Sequence, residues 1–215
     1  MATRVATDDL AGKYNIYSKD IVGATYTEED SVGDIYTFCN ELSKMLKDKY
    51  DYSVVELGVN IKDLPNLQKR FDEVIICAGA YTSKLVPSLN IYPIKGYSIT
   101  YQNAYEAPTI SVLDDDRKIV ASPFGNNVFR VAGTAELAGW NHDMREDRIK
   151  PLADWVKENT FVNKDNYEKW SCLRPMTPNM LPVVGKVRGL WVNSGAGHLG
   201  WTMGMALAEK LTKDI

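Results

Sequence analysis

Residues Asn193 to Thr202 read NSGAGHLGWT. Glycines at 195, 197 and 200 spell G-x-G-x-x-G. An apolar run, Leu190-Trp191-Val192, leads into them, and a segment with helical character follows. In a dinucleotide-binding fold this motif turns a strand into a helix whose first amides face a pyrophosphate. A carboxylate about 20 residues further on then holds the ribose. Only 15 residues follow Gly200, which is room for one helix and no second strand. The ordinary reading of the motif therefore fails its own context. What remains is a glycine-rich loop feeding a helix N-terminus, where unsatisfied amides and the helix dipole favour negative charge.

The composition narrows the ligands such a loop can serve. The chain has 215 residues, 45% hydrophobic and 25% charged, which is ordinary for a globular protein of one large or two small domains. Net charge is −3, with no basic stripe, so nucleic acid is excluded as a partner. The longest apolar run, Val74 to Ala80, is too short to span a bilayer. The first residues, MATRVATDDL, lack the apolar core of a signal peptide. Cys39, Cys77 and Cys172 are odd in number and widely spaced. They read as buried free thiols in a reducing, cytoplasmic compartment. Only His142 and His198 are present, which argues against a histidine metal site or a serine triad.

Upstream of the loop, periodicity predicts a helix over 33–50, with Ile35, Phe38, Cys39, Leu42, Met45 and Leu46 on one inward face. Asp30 or Ser31 is placed to cap it, with Asp34 in its first turn. Ser53–Leu57 reads as a strand. FDEVIICAG, residues 71–79, reads as a strand buried on both faces, with a helical turn over 81–86. The character changes from Tyr92. Segments 97–101, 109–113, 118–122 and 128–133 read as strands, with hairpin chemistry at Gly125-Asn126-Asn127. Asp114-Asp115-Asp116 reads as a solvated turn. A helix over 145–158 points Ile149, Leu152, Trp155 and Val156 inward. The fold class is mixed α/β. A partial nucleotide-fold domain comprises 1–92 and 168–215, and an antiparallel substrate-domain-like block with one helix is inserted over 93–167.

LRPMTPNMLPVVG, residues 173–185, carries three prolines that stiffen the backbone on either side of Arg174. A rigidly mounted arginine suits bidentate carboxylate capture, although a surface arginine on a proline turn has the same pattern.

Four stretches, DEVIICAGAYTSKL, YPIKGYSIT, LRPMTPNMLPVVG and LWVNSGAGHLGWTMG, together resemble the C-terminal half of the D-amino-acid dehydrogenase small-subunit family. That family belongs to the wider FAD-dependent D-amino-acid oxidase and glycine oxidase group. The resemblance runs from about Ile21 to the C-terminus. It implies FAD as cofactor and oxidative deamination of a D-amino acid by hydride transfer. Ala78 and Gly79 are implied as one cofactor contact. Gly195, Gly197, His198, Leu199, Gly200, Trp201 and Thr202 are implied as the loop at the flavin ring. Arg174 is implied as the group that pairs with the substrate carboxylate, and no residue is implied as a catalytic acid or base. The resemblance also implies a membrane electron acceptor, and with it peripheral association at the inner membrane.

This sequence departs from the family pattern in three ways. The family's N-terminal strand–loop–helix, with its own G-x-G-x-x-G, has no counterpart in these residues. Only 60–70 connect two strands where the family has a small β-meander. Asn179 and Met180 replace an expected aspartate and glycine, Ala196 an expected histidine, and His198 an expected small residue. Two functional expectations follow. In one, a second polypeptide supplies the N-terminal FAD-binding half. In the other, the chain is a truncated remnant that binds no FAD and folds as a homodimer. A carboxylate-binding domain without redox chemistry is a third.

Overall fold

The computed structural model describes residues 2–18, 20–50, 58, 60–162 and 165–215. They form two compact units. One comprises 1–38, 96–135 and 142–172; the other comprises 39–95, 136–141 and 173–215.

The first unit is built on a five-stranded sheet. Its strands are β4 (Tyr92–Tyr101), β5 (Val112–Asp114), β6 (Ile119–Phe124), β7 (Val128–Glu136) and β8 (Glu168–Met176), in the order β5-β6-β7-β4-β8. The sheet is antiparallel across β5, β6 and β7. The unit boundaries cut β4 after Lys95 and β8 after Cys172. Phe124 pairs with Val128 across the predicted hairpin, and Asn126 and Asn127 both take positive φ. Asparagine tolerates that conformation, so the turn closes without strain. Helix α5 (Glu146–Asn159) covers one face of the sheet. Ile149, Leu152, Trp155 and Val156 are buried against Tyr97, Ile99, Tyr101, Phe129 and Val131, as the periodicity predicts. Asp114 is not simply a solvated turn residue. Its carboxylate accepts the Trp155 indole N–H at 2.8 Å and the Arg117 amide at 2.9 Å, tying the turn to α5. Burial alone would raise the Asp114 pKa, but these two donors hold it below the usual carboxylate value. Ahead of this sheet, β1 (Thr3–Val5) and β2 (Ala24–Tyr26) pair antiparallel, and α1 (Thr7–Tyr14) buries Leu10 and Tyr14 in a small core with Ile16.

The second unit holds a three-stranded sheet in the order β3-β10-β9: β3 (Ile75–Ile76), β9 (Val183–Val187) and β10 (Leu190–Ser194). β3 runs parallel to β10, and β9 antiparallel to it. Ile76, Val86, Leu190 and Val192 form the core with Leu64 of α3 (Leu64–Arg70). Helix α4 (Thr82–Leu85) follows β3 through a 3-10 turn at Gly79–Tyr81, and α6 (Gly200–Asp214) follows β10.

Several sequence expectations are corrected. The predicted β3 strand is short, and Ile75 is 44% exposed rather than buried on both faces. Helix α2 (Ile35–Tyr50) forms, but none of its residues is buried. Asp34, not Asp30 or Ser31, caps α2: its Oδ1 accepts the Tyr36 amide at 3.0 Å. Cys39 and Cys77 are exposed and Cys172 is half-buried; all three are free thiols, as expected, but not buried ones. The predicted strand at 53–57 lies outside the described residues.

Candidate functional site

Ala78, Gly79, Arg174 and the loop from Gly195 to Thr202, the site residues expected from the sequence, all lie in the second unit. β3 and β10 are parallel, so their C-terminal ends open on the same edge, where ligands of parallel sheets gather. Ala78 and Gly79 leave β3 at that edge, and Gly195 to Leu199 leave β10. Two buried hydroxyls join these exits. Thr82 Oγ1 donates to Ser194 Oγ at 2.9 Å, and Ser194 Oγ donates to the Gly79 carbonyl at 3.0 Å. Neither residue was singled out from the sequence. The available signal was a serine or threonine close to each glycine exit: Ser194 just before Gly195 and Thr82 three residues after Gly79.

The glycines have separate physical reasons. Gly195 takes φ +80, and a Cβ there would lie 2.8 Å from Thr177 Cγ2. Gly197 takes φ +59, and its Cβ would lie 2.7 Å from Met176 Sδ. Both contacts press the loop onto the segment that follows Arg174. The Gly197 amide donates to the Pro175 carbonyl at 2.9 Å, so the loop and the arginine's strand are fastened together. Gly79 also takes positive φ, yet a Cβ there would meet nothing within 4 Å. Its open side leaves room for a ligand to approach the backbone.

Helix α6 starts at Gly200 with Leu199 as its N-cap, and no side-chain cap hydrogen bond closes it. Amides in the first turn of a helix have no intrahelical acceptor. Anionic groups are favoured there. His198, Leu199, Gly200, Trp201 and Thr202 are all exposed, and Arg174 is half-buried on β8. Cys77 reaches solvent, yet the packing around it pushes its thiol pKa up, with the Asn193 amide acting the other way.

The structure also explains Lys95, to which the sequence assigned no contact. Its side chain is 1% exposed, and Nζ lies 3.3 Å from both Glu136 Oε2 and Asn141 Oδ1. Lys95 thus anchors the 136–141 segment, whose Trp140 ring lies tilted against Tyr81, centroids 4.9 Å apart, beside the Gly79 turn. Tyr97 is core packing. A cavity of about 1290 Å³ lies in the first unit, lined by Arg4, Tyr14, Tyr26, Asp114 and Trp155, and none of the predicted site residues borders it. Among the described residues no cluster of His, Cys, Asp and Glu could hold a metal, and no helix is long and apolar enough to cross a membrane.

The sequence of residues 3–213 matches the family model of the FAD dependent oxidoreductases, DAO. The chain belongs to the DAO family of FAD-dependent oxidoreductases. The match begins at residue 3, so the resemblance extends further toward the N-terminus than the expected start near Ile21. The chain is 38% identical to D-amino acid dehydrogenase 3 of Mesorhizobium japonicum, over 98% of its own length and 57% of that protein. It is 35% identical to D-amino acid dehydrogenase of Vibrio atlanticus, over 91% of its length and 51% of that protein. It thus spans about half the length of the curated relatives it matches. Glycine oxidase from Bacillus cereus superposes with a TM-score of 0.76 at 16% identity, over 99% of this chain and 64% of that one. L-Proline dehydrogenase from P. horikoshii gives 0.73 at 11%, over 99% and 63%. These two likenesses establish the fold alone. The family's cofactor is FAD. The open side of Gly79 and the uncapped amides of α6 fit such a group.

Proposed function

We propose that this chain forms the flavin-ring and substrate-carboxylate part of a D-amino-acid dehydrogenase. The rest of the family's length, supplied by a second polypeptide or by further residues of a longer chain, would hold the FAD pyrophosphate. One observation carries the reading: the Gly197–Pro175 hydrogen bond, which fastens the glycine loop beside Arg174 in one compact unit.

FAD, when bound, would supply the hydride acceptor for amino-acid oxidation. Gly79, Gly195, Gly197 and the first turn of α6 would hold it through backbone amides. Those amides carry positive dipole density, which favours the negative charge that reduction brings. Thr82 and Ser194 would keep the two exits in register. Arg174 would pair with the substrate's α-carboxylate and so fix which face of Cα is presented. None of these roles calls for a histidine base, in keeping with an exposed His198. Cofactor binding is assigned to 1–92 with 168–215, and substrate cover to 93–167. The proposed electron acceptor is a membrane carrier, reached by peripheral association.

A second reading, a remnant that binds no FAD and pairs with a copy of itself, is favoured by the unburied apolar face of α2. One experiment separates the two. The tagged chain is purified from its native host, and its visible spectrum is recorded alone, after FAD addition and gel filtration, and with any co-purifying protein. The first reading expects flavin retained with the companion and bleached by D-amino acids. It also expects that Arg174→Ala slows bleaching roughly 100-fold or more, as loss of a bidentate charged pair does. A colourless protein under all three conditions would sink it and leave the remnant.

A further inference from the structure

In the first unit, Arg130 lies over an aromatic ring. Phe129 and Val131 of β7 point into the core against α5, so Arg130 between them projects from the opposite face of the sheet. Its guanidinium lies 5.2 Å from the ring centroid of Trp170 on β8. In the sheet order, β4 lies between these two strands. The arginine arm must therefore cross β4. On that face β4 presents Gly96, Ser98 and Thr100, the residues alternating with the core positions Tyr97, Ile99 and Tyr101. Their small size leaves the arm room to lie flat.

Two polar groups on this face are left over. Arg130 Nε is buried without a hydrogen-bond partner, and so is the hydroxyl of Ser98, itself 2% exposed. Among the described residues the guanidinium closes no ion pair. Asp34 feels its charge, but both Asp34 oxygens are already committed to Tyr36 and Thr37. Trp170, the shelf under the guanidinium, is 50% exposed, so the pair is open to solvent on one side. A half-buried arginine laid on an aromatic ring, with no acid of its own, presents a planar fork of donors to an incoming planar anion.

We propose that Arg130 and Trp170 form a binding site for a small organic carboxylate, one that needs no FAD. The carboxylate takes the guanidinium fork, and the Trp170 shelf flanks its carbon skeleton. One cation beside the carboxylate of Asp34 suits a monoanionic group and disfavours a phosphate dianion.

The test uses the isolated chain. Arginine Nε–H and tryptophan indole NMR signals are followed during titration with acetate, with acetamide as its neutral isostere, and with inorganic phosphate. Arg130→Lys assigns the arginine signal and keeps the charge. Acetate should shift the Arg130 and Trp170 signals saturably, acetamide should leave them in place, and phosphate should bind more weakly than acetate. Arg130→Lys should weaken acetate about tenfold or more, because the fork and the stack are lost. The proposal is overturned if acetate leaves both signals unmoved, if acetamide acts equally, if phosphate binds more tightly, or if Arg130→Lys binds acetate as well as the wild type. Should Arg130→Lys not fold, the acetate–acetamide comparison on the wild type still decides. Because no flavin enters the experiment, its failure leaves the proposed oxidoreductase role untouched.

Discussion

Helices α2 and α5 look alike in sequence and differ in the fold. Each carries large apolar residues at helical spacing over about four turns. α5 buries six residues, and α2 buries none. The apolar stripe of α5 meets the sheet face formed by β4 and β7. In α2, Ile35, Phe38, Leu42 and Met45 keep between 36% and 49% of their surface exposed. Periodicity reports that a helix has a face to bury; it does not report whether a second surface is present to bury it against.

The contrast can be tested, beginning where the effect should be greatest. Leu152→Ala empties a fully buried position of α5 and should destabilise the fold by about 2–5 kcal/mol. Denaturant unfolding measures it, and a loss near zero would mean that α5 is not the keystone of its unit. Gly133→Ala attacks the same contact from the sheet side. Its Cβ would lie 3.0 Å from Leu152 Cδ2, 3.1 Å from Ile119 Cγ1 and 3.2 Å from the Lys118 carbonyl. Overpacking there should cost about 1–3 kcal/mol, read as a lower unfolding midpoint with an unchanged slope.

Asp114 ties its turn to α5 through Trp155. Its folded pKa lies below the ordinary value, so its contribution is fully present above the unfolded pKa and is lost as pH falls through the folded one. The stability gap between wild type and Asp114→Asn should therefore shrink below about pH 4. A gap that stays constant from pH 6 to pH 2 would remove the ionised carboxylate from the account of α5.

The smallest effect belongs to α2. Leu42→Ala should cost less than either core substitution, about 1 kcal/mol or below in the isolated chain, since Leu42 keeps 36% of its surface in solvent and Leu152 none. If a companion half or a second copy covers α2, the same substitution should cost several times more in the complex. Unfolding with and without the companion measures that difference. Equal values would mean that α2 is not part of the covered surface.

Much of the first unit was legible in the sequence. The inward residues of α5, the asparagine hairpin and the run of short strands all follow from local rules of period and turn chemistry. The glycine loop was legible too, as was its failure to be an ordinary pyrophosphate turn. The positive φ at Gly195 and Gly197 accounts for the motif that the sequence displays. Capping of α2 by Asp34 was within reach, because Asx capping is local, but the choice among Asp30, Ser31 and Asp34 depends on where the first turn begins.

Pairings across long sequence separations were settled only by the tertiary structure. Thr82 reaches Ser194 over 112 positions, and Lys95 reaches Asn141 over 46. Arg130 reaches Trp170 only because β4 is threaded between β7 and β8. Local sequence determines which conformation a segment prefers and which side chains share a face. Strand order and register determine which distant groups then meet, and hence whether a polar group is satisfied or an apolar face covered. For this protein the sequence by itself determined the elements, the glycine loop and the family. The buried hydroxyl link, the Lys95 anchor, the Arg130 shelf and the bare face of α2 were decided by how those elements pack.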